Sequence, residues 1–160
     1  MILVTVGMQL GFDRLIRAMD ALAPGLGAPV IAQVGKGAYR PINMDARISI
    51  APGEFERLVQ HARLIVSHAG IGTVLTAARF GKPLVLVPRR AALGEHRNDH
   101  QLATVRQLAG RPGIVVAEDE ADLGGAIAAG LALEGGAAVQ SATARQLHEA
   151  VARFIISGTL

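Results

Sequence analysis

Apolar residues come along this chain in short unbroken runs, with stretches of helical spacing between them. Ile2 to Val6 is continuous, rich in β-branched residues and followed by glycine. A run of this kind, without polar alternation, reads as a strand buried on both faces, as in a parallel sheet. Pro29–Val34 repeats the pattern and closes on Gly35-Lys36-Gly37. Arg47–Ala51 predicts a shorter third strand, Leu64–Ser67 a fourth, Pro83–Val87 a fifth that Pro88 stops, and Gly113–Val116 a sixth. Helical patterns fill the gaps. Phe12–Ala23 carries Leu15, Ile16, Met19 and Leu22 on one face. Glu54–His61 follows a Pro52-Gly53 turn, Thr73–Phe80 ends at Gly81, and a helix from about Asp99 to Leu108 has Asp99 as its N-cap. Ala121–Leu133 and Ala138–Ile156 come last, with a tight break at Gly135-Gly136, and the final helix sets Leu147, Val151, Phe154 and Ile155 at amphipathic spacing.

Strand and helix patterns alternate throughout, which predicts an α/β fold: a doubly wound parallel sheet of about six strands with helices on both faces. The 160 residues favour one domain, 1–160, with no internal repeat or low-complexity linker. Composition narrows the chemistry. Cysteine is absent, so there is no disulfide, no thiolate zinc site and no cysteine nucleophile. Aromatic residues make up 3% and tryptophan is missing, which argues against stacking platforms for single-stranded nucleic acid. A net charge of +3 is modest and scattered, so no nucleic-acid partner is expected. The apolar start stops at Gly7, short of a membrane span, and has no basic flank or cleavage site; a soluble cytoplasmic domain is expected.

In an open parallel sheet, ligands bind outside the carboxyl ends of the strands, where strand order reverses. Three loops leave strand ends with unusual composition. Gly7-Met8-Gln9-Leu10-Gly11 sets glycines between a strand and a helix, where backbone amides can approach a phosphate. It lacks the spacing of dinucleotide or ATP loops, and a ligand-free tight turn explains it equally well. Ser67-His68-Ala69-Gly70-Ile71-Gly72-Thr73 brings a hydroxyl, an imidazole, two glycines and a helix start together. Ser67 and Thr73 can donate to phosphate oxygens, and so can His68 when protonated. The plainer alternative is that Thr73 caps a helix and His68 satisfies a buried carbonyl. The third loop packs Arg89, Arg90, Glu95, His96, Arg97, Asn98, Asp99, His100 and Gln101 into thirteen positions. Charge runs are usually solvated surface, but three such loops at one sheet edge favour an anionic nucleotide ligand. His96 and His100 have zinc-ligand spacing without a supporting third ligand, so no metal is expected. No nucleophile elbow and no catalytic carboxylate pair is visible. Asp13, one turn into the first helix, fits a surface carboxylate better than a base.

These residues resemble a known family. Val4-Thr5-Val6-Gly7 followed by Phe12-Asp13-Arg14-Leu15-Ile16 is similar to the opening of family 28 glycosyltransferase C-terminal domains. Ser67-His68-Ala69-Gly70-x-Gly72-Thr73, then Gly81-Lys82-Pro83 and Pro88, resembles that family's donor-binding core, and His100-Gln101 its His-Gln pair. The stretch Pro88–Gln101 resembles the PssE/EpsE-type subunits of bacterial exopolysaccharide synthesis more narrowly. The likeness covers roughly residues 1–130.

The resemblance implies the C-terminal half of a GT-B glycosyltransferase, with a UDP-sugar donor, no cofactor and an acceptor-binding half on a separate membrane-associated chain of the PssD/EpsD type. That partner would recruit this chain to the inner face of the membrane; a homo-oligomer is the alternative for the chain alone. It implies donor contacts from Gly7, Gln9, Ser67, His68, Gly70, Gly72, Thr73, His100 and Gln101. His68 and His100 are the candidate catalytic residues, with the acceptor base expected from the partner. Arg89 and Arg90 are expected to add phosphate or uronate contacts, which would suit a glucuronosyl donor. One position departs from the family. Thr76 stands where an acidic residue usually holds the ribose hydroxyls, and a hydroxyl accepts less strongly than a carboxylate. A second reading follows from it: a non-catalytic enhancer that stabilises its partner and binds no nucleotide.

Overall fold

The apolar runs pair side by side. In the computed structural model, which describes residues 1–133, six strands form one parallel sheet. They are β1 (Ile2–Thr5), β2 (Val30–Gln33), β3 (Asp45–Arg47), β4 (Leu64–His68), β5 (Leu84–Val87) and β6 (Ile114–Val116). Their order is β3-β2-β1-β4-β5-β6, all pairs parallel. The helices are α1 (Asp13–Leu22), α2 (Pro52–His61), α3 (Ile71–Arg79), α4 (His100–Leu108) and α5 (Leu123–Ala132). This is the doubly wound fold that the alternation predicts. The expected helix Ala138–Ile156 and the Gly135-Gly136 break lie outside the described residues.

Burial on both faces explains the unbroken runs. Ile2, Val4 and Val6 pack with Leu15, Ile16 and Met19 of α1 and with Leu123 and Ile127 of α5. Leu3, Ile65, Leu84 and Leu86 face the other way, against Val59 of α2, Val74 and Ala77 of α3, and Val105 and Leu108 of α4. So α1 and α5 cover one face, and α2, α3 and α4 the other.

Several element boundaries differ from the expected ones, and three of the differences have a readable local cause. β3 is Asp45–Arg47 rather than Arg47–Ala51: its ladder with β2 runs from Ile31 to Gln33, and the backbone bonds end with the Gly35 amide on the Ile48 carbonyl at 3.1 Å, where Gly35 turns at φ +59°. α2 begins at Pro52 rather than Glu54, since the fixed φ of proline suits a first helical residue. α3 begins at Ile71, with Gly70 as its N-cap, so Thr73 lies within the first turn and caps nothing. Asp99 does hold the N-cap position of α4, but its carboxylate accepts from the Ala91 amide at 2.8 Å rather than from the helix.

The connection from β2 to β3 is pinned by one buried carboxylate. Asp20, 2% exposed, accepts from the Tyr39 hydroxyl at 2.7 Å, the Asn43 amide at 2.7 Å and the Ile42 amide at 3.1 Å. Burial alone would raise its pKa, but these donors outweigh it and hold the carboxyl below the ordinary range. Asp20→Ala is expected to cost about 3 kcal/mol, because it strands buried donors. Urea unfolding at pH 7 reads that loss directly.

Candidate functional site

Strand order reverses between β1 and β4, and their following loops leave toward opposite faces of the sheet. The crevice that opens there is bounded by the loop after β1, the start of α3 and the loop after β5. It has two lobes. The larger, about 480 Å³, runs from Gly7, Met8 and His68 to Phe55 and to Thr73 and Thr76 of α3. The smaller, about 290 Å³, shares Gly7, Met8 and His68 and extends to Gln9, Arg89, His96 and Gln101.

His68 is the wall between the lobes. It ends β4, and its ring is held between two glycines. A Cβ on Gly7 would lie 3.0 Å from Cε1, and one on Gly70 would lie 2.3 Å from Nε2. Gly7 also adopts φ +76°, which disfavours any side chain. Burial drives the His68 pKa down to about 4, the Arg89 charge pushes the same way, and a hydrogen bond to the Thr5 backbone opposes them. The imidazole is therefore neutral at pH 7 and bonded to a backbone group. That is the plainer of the two roles the sequence suggested, and the protonated phosphate-binding form is disfavoured.

A stability effect follows. The folded pKa lies below the unfolded 6.5, so the unfolded chain takes up the proton first. The contribution is complete above pH 6.5, is lost as pH falls from 6.5 to about 4, and changes no further below that. Wild type should lose about 2 kcal/mol more than His68→Gln between pH 7 and pH 5, read by urea unfolding at the two pH values.

Arg89 lines the smaller lobe with its guanidinium already engaged by the protein. It is 2% exposed, and its guanidinium donates to the carbonyls of Val6 at 2.7 Å, Leu10 at 2.9 Å and Glu95 at 3.3 Å, and also to that of Gly11. It lies 4.7 Å from the Phe12 ring centroid. Its two terminal nitrogens are engaged in holding the loop after β1 and the Glu95 carbonyl, and a phosphate or uronate gripped by that fork would have to displace these bonds. Arg90 lines neither lobe. It donates to the Glu118 carbonyl at 2.7 Å and pairs with Asp119 at 3.4 Å.

The polar third loop is likewise braced by the protein itself. Arg14 holds Glu95 with two bonds, at 2.7 and 3.0 Å, both side chains nearly buried. Glu95 also accepts the Arg90 amide at 2.9 Å. The Gln101 side-chain oxygen accepts the amides of Ala69 at 3.2 Å and Arg89 at 3.1 Å, tying the second loop to the third.

The structure thus gathers Gly7, Gln9, His68, Gly70, Gly72, Thr73, Thr76, Arg89 and Gln101 at the two lobes. Ser67 is fully buried, its hydroxyl donating to the His68 carbonyl at 2.9 Å, and lines neither. His100 also stays outside, its ring 4.4 Å from that of His96 and one nitrogen bonded to Asn98. Among the described residues no three acidic or histidine side chains converge as metal ligands.

Sequence reasoning missed Gln33 and Phe55 as lining residues, and it placed His96 in the polar third loop without a donor contact. Gln33 accepts from Thr5 Oγ1 at 3.1 Å and donates to the Met8 sulfur at 2.8 Å. A polar residue ending an apolar run was the available signal for it. Phe55 carried none.

Sheet order and a crevice at the switch point define a Rossmann-like domain of the GT-B kind. The sequence model of the glycosyltransferase family 28 C-terminal domain matches residues 1–153, and the chain belongs to that family. It is 35% identical, over 57% of its length, to a UDP-N-acetylglucosamine--N-acetylmuramyl-(pentapeptide) pyrophosphoryl-undecaprenol N-acetylglucosamine transferase of Phenylobacterium zucineum (strain HLK1). It is 31% identical, over 67% of its length, to the human UDP-N-acetylglucosamine transferase subunit ALG13. The chain spans 24% of the first of these relatives and 10% of the second. Among solved structures, the glycotransferase of kitacinnamycin matches with a TM-score of 0.67 at 17% identity, over 98% of this chain and 42% of that one. A solution structure of ALG13 matches with 0.55 at 17% identity, over 83% of this chain and 86% of that one. Both likenesses concern the fold.

Proposed function

We propose that this chain is the donor-binding subunit of a two-chain glycosyltransferase, one domain that takes a UDP-sugar and transfers its hexose to a lipid-linked acceptor held by a partner. The observation that carries this is the bilobed crevice. Its larger, mainly apolar lobe suits a base and ribose, its smaller polar lobe suits a sugar, and the start of α3 lies beside their junction. Gly70 caps α3 without a side-chain bond, so the amides of the first turn are available to an anion. A diphosphate there would be stabilised as it leaves, the role of preorganised donors in group transfer. Inversion at the sugar would follow from attack by the acceptor on the opposite face, with the base supplied by the partner.

Thr76 fits this reading. Its hydroxyl donates to the Gly72 carbonyl at 2.8 Å, which leaves the oxygen as an acceptor for ribose hydroxyls, the polarity of the usual carboxylate. That geometry favours donor binding over the enhancer role. Met8, Leu10 and Leu93 are exposed on the loops at this edge, an apolar rim that a partner could cover. The family membership and the relative named as a transferase subunit support a two-chain enzyme. Among the described residues no helix is long and apolar enough to cross a membrane. The partner would then provide membrane attachment at the cytoplasmic face, as a PssD/EpsD-type subunit in exopolysaccharide synthesis.

Calorimetric titration with UDP and ADP tests the assignment. UDP should bind saturably and about tenfold more tightly than ADP, and Thr76→Glu should tighten UDP about tenfold further. Equal affinity for the two nucleotides would refute the donor assignment.

A further inference from the structure

The smaller lobe contains a histidine that the family motifs leave unassigned. His96 lines it together with Gln9, His68, Arg89 and Gln101. Its Nδ1 is buried and has no hydrogen-bond partner, an arrangement that native structures rarely leave unexplained. The ring is held in place. Glu95 before it is clamped by Arg14, and the His100 ring meets it edge-on at 4.4 Å.

The polar groups around it identify the kind of ligand. Arg89 is engaged by four backbone carbonyls, and the oxygen of Gln101 by two amides. Other groups that line the lobe and can meet a ligand include the amide nitrogen of Gln101, the side chain of Gln9 and the His96 imidazole. No arginine fork is left for a carboxylate, whereas neutral donors and acceptors match the hydroxyls of a pyranose.

We propose that His96 is a specificity residue that hydrogen-bonds a hydroxyl of the transferred sugar, and that this sugar is a neutral hexose rather than a uronate. The inference rests on the donor-binding reading above.

Calorimetry on the full chain tests it, with UDP, UDP-glucose and UDP-glucuronate as probes of wild type, His96→Phe and His96→Gln. His96→Phe should lower the affinity for UDP-glucose relative to UDP about tenfold, and His96→Gln, which keeps a hydrogen-bonding group, should recover part of it. Wild type should prefer UDP-glucose to UDP-glucuronate. An unchanged UDP-glucose to UDP ratio in His96→Phe would overturn the role of His96, and a preference for UDP-glucuronate would overturn the neutral sugar. Failure of wild type to bind UDP would instead remove the donor-binding reading, and this proposal with it.

Discussion

Arg89→Met is expected to destabilise the fold by about 4 kcal/mol, because it leaves buried carbonyls without donors. The corresponding drop in melting temperature is about 10–15 °C for a chain of this size. Four carbonyls depend on this one guanidinium, and three of them, on Val6, Leu10 and Gly11, belong to the loop after β1. Arg89→Lys should rescue little, since an ammonium is a point donor and cannot reproduce the planar fork. Thermal unfolding of the three proteins decides between two roles. If Arg89 were mainly a phosphate ligand, its removal would weaken nucleotide binding while leaving the melting temperature nearly unchanged.

The second large effect should fall on binding. Gly70 has ordinary extended geometry, φ −90° and ψ 129°, so alanine fits the backbone there without strain. Its methyl, however, would lie 2.3 Å from His68 Nε2, and the ring must move. Because His68 walls both lobes, Gly70→Ala is expected to weaken UDP about a hundredfold, equivalent to about 2.7 kcal/mol. Unfolding free energy should change far less than in Arg89→Met. Fluorescence-monitored unfolding together with UDP calorimetry separates the two effects. Unaltered affinity in a folded Gly70→Ala would mean that His68 does not shape the site.

Much of the fold was legible because burial on both faces writes each central strand as an unbroken apolar run. The bounds of the edge strand β3 were not, since its residues Asp45 and Arg47 pair with each other at 2.7 Å in partial contact with solvent and carry no apolar signal. Its register depends on where β2 ends, a tertiary matter. At the site, glycines and a histidine at strand ends marked the crevice, and the structure places most of them on its walls. The engagement of the arginines was hidden for a definite reason. Composition shows a cluster of charge, but not the partners that engage it. Arg89 meets carbonyls some eighty positions away in sequence, and Glu95 of the same loop is held by Arg14 of α1. The hydroxyl polarity of Thr76 was hidden too, because it depends on the helical geometry that brings Gly72 within reach.

The central claim is that the crevice between β1 and β4 holds a uridine nucleotide. Amide chemical-shift mapping during a UDP titration tests it most directly. Shifts should concentrate at Gly7, His68, Gly70, Gly72 and Thr76 and be lost in Gly70→Ala. Shifts centred elsewhere on the molecule, or none at saturating UDP, would contradict the account.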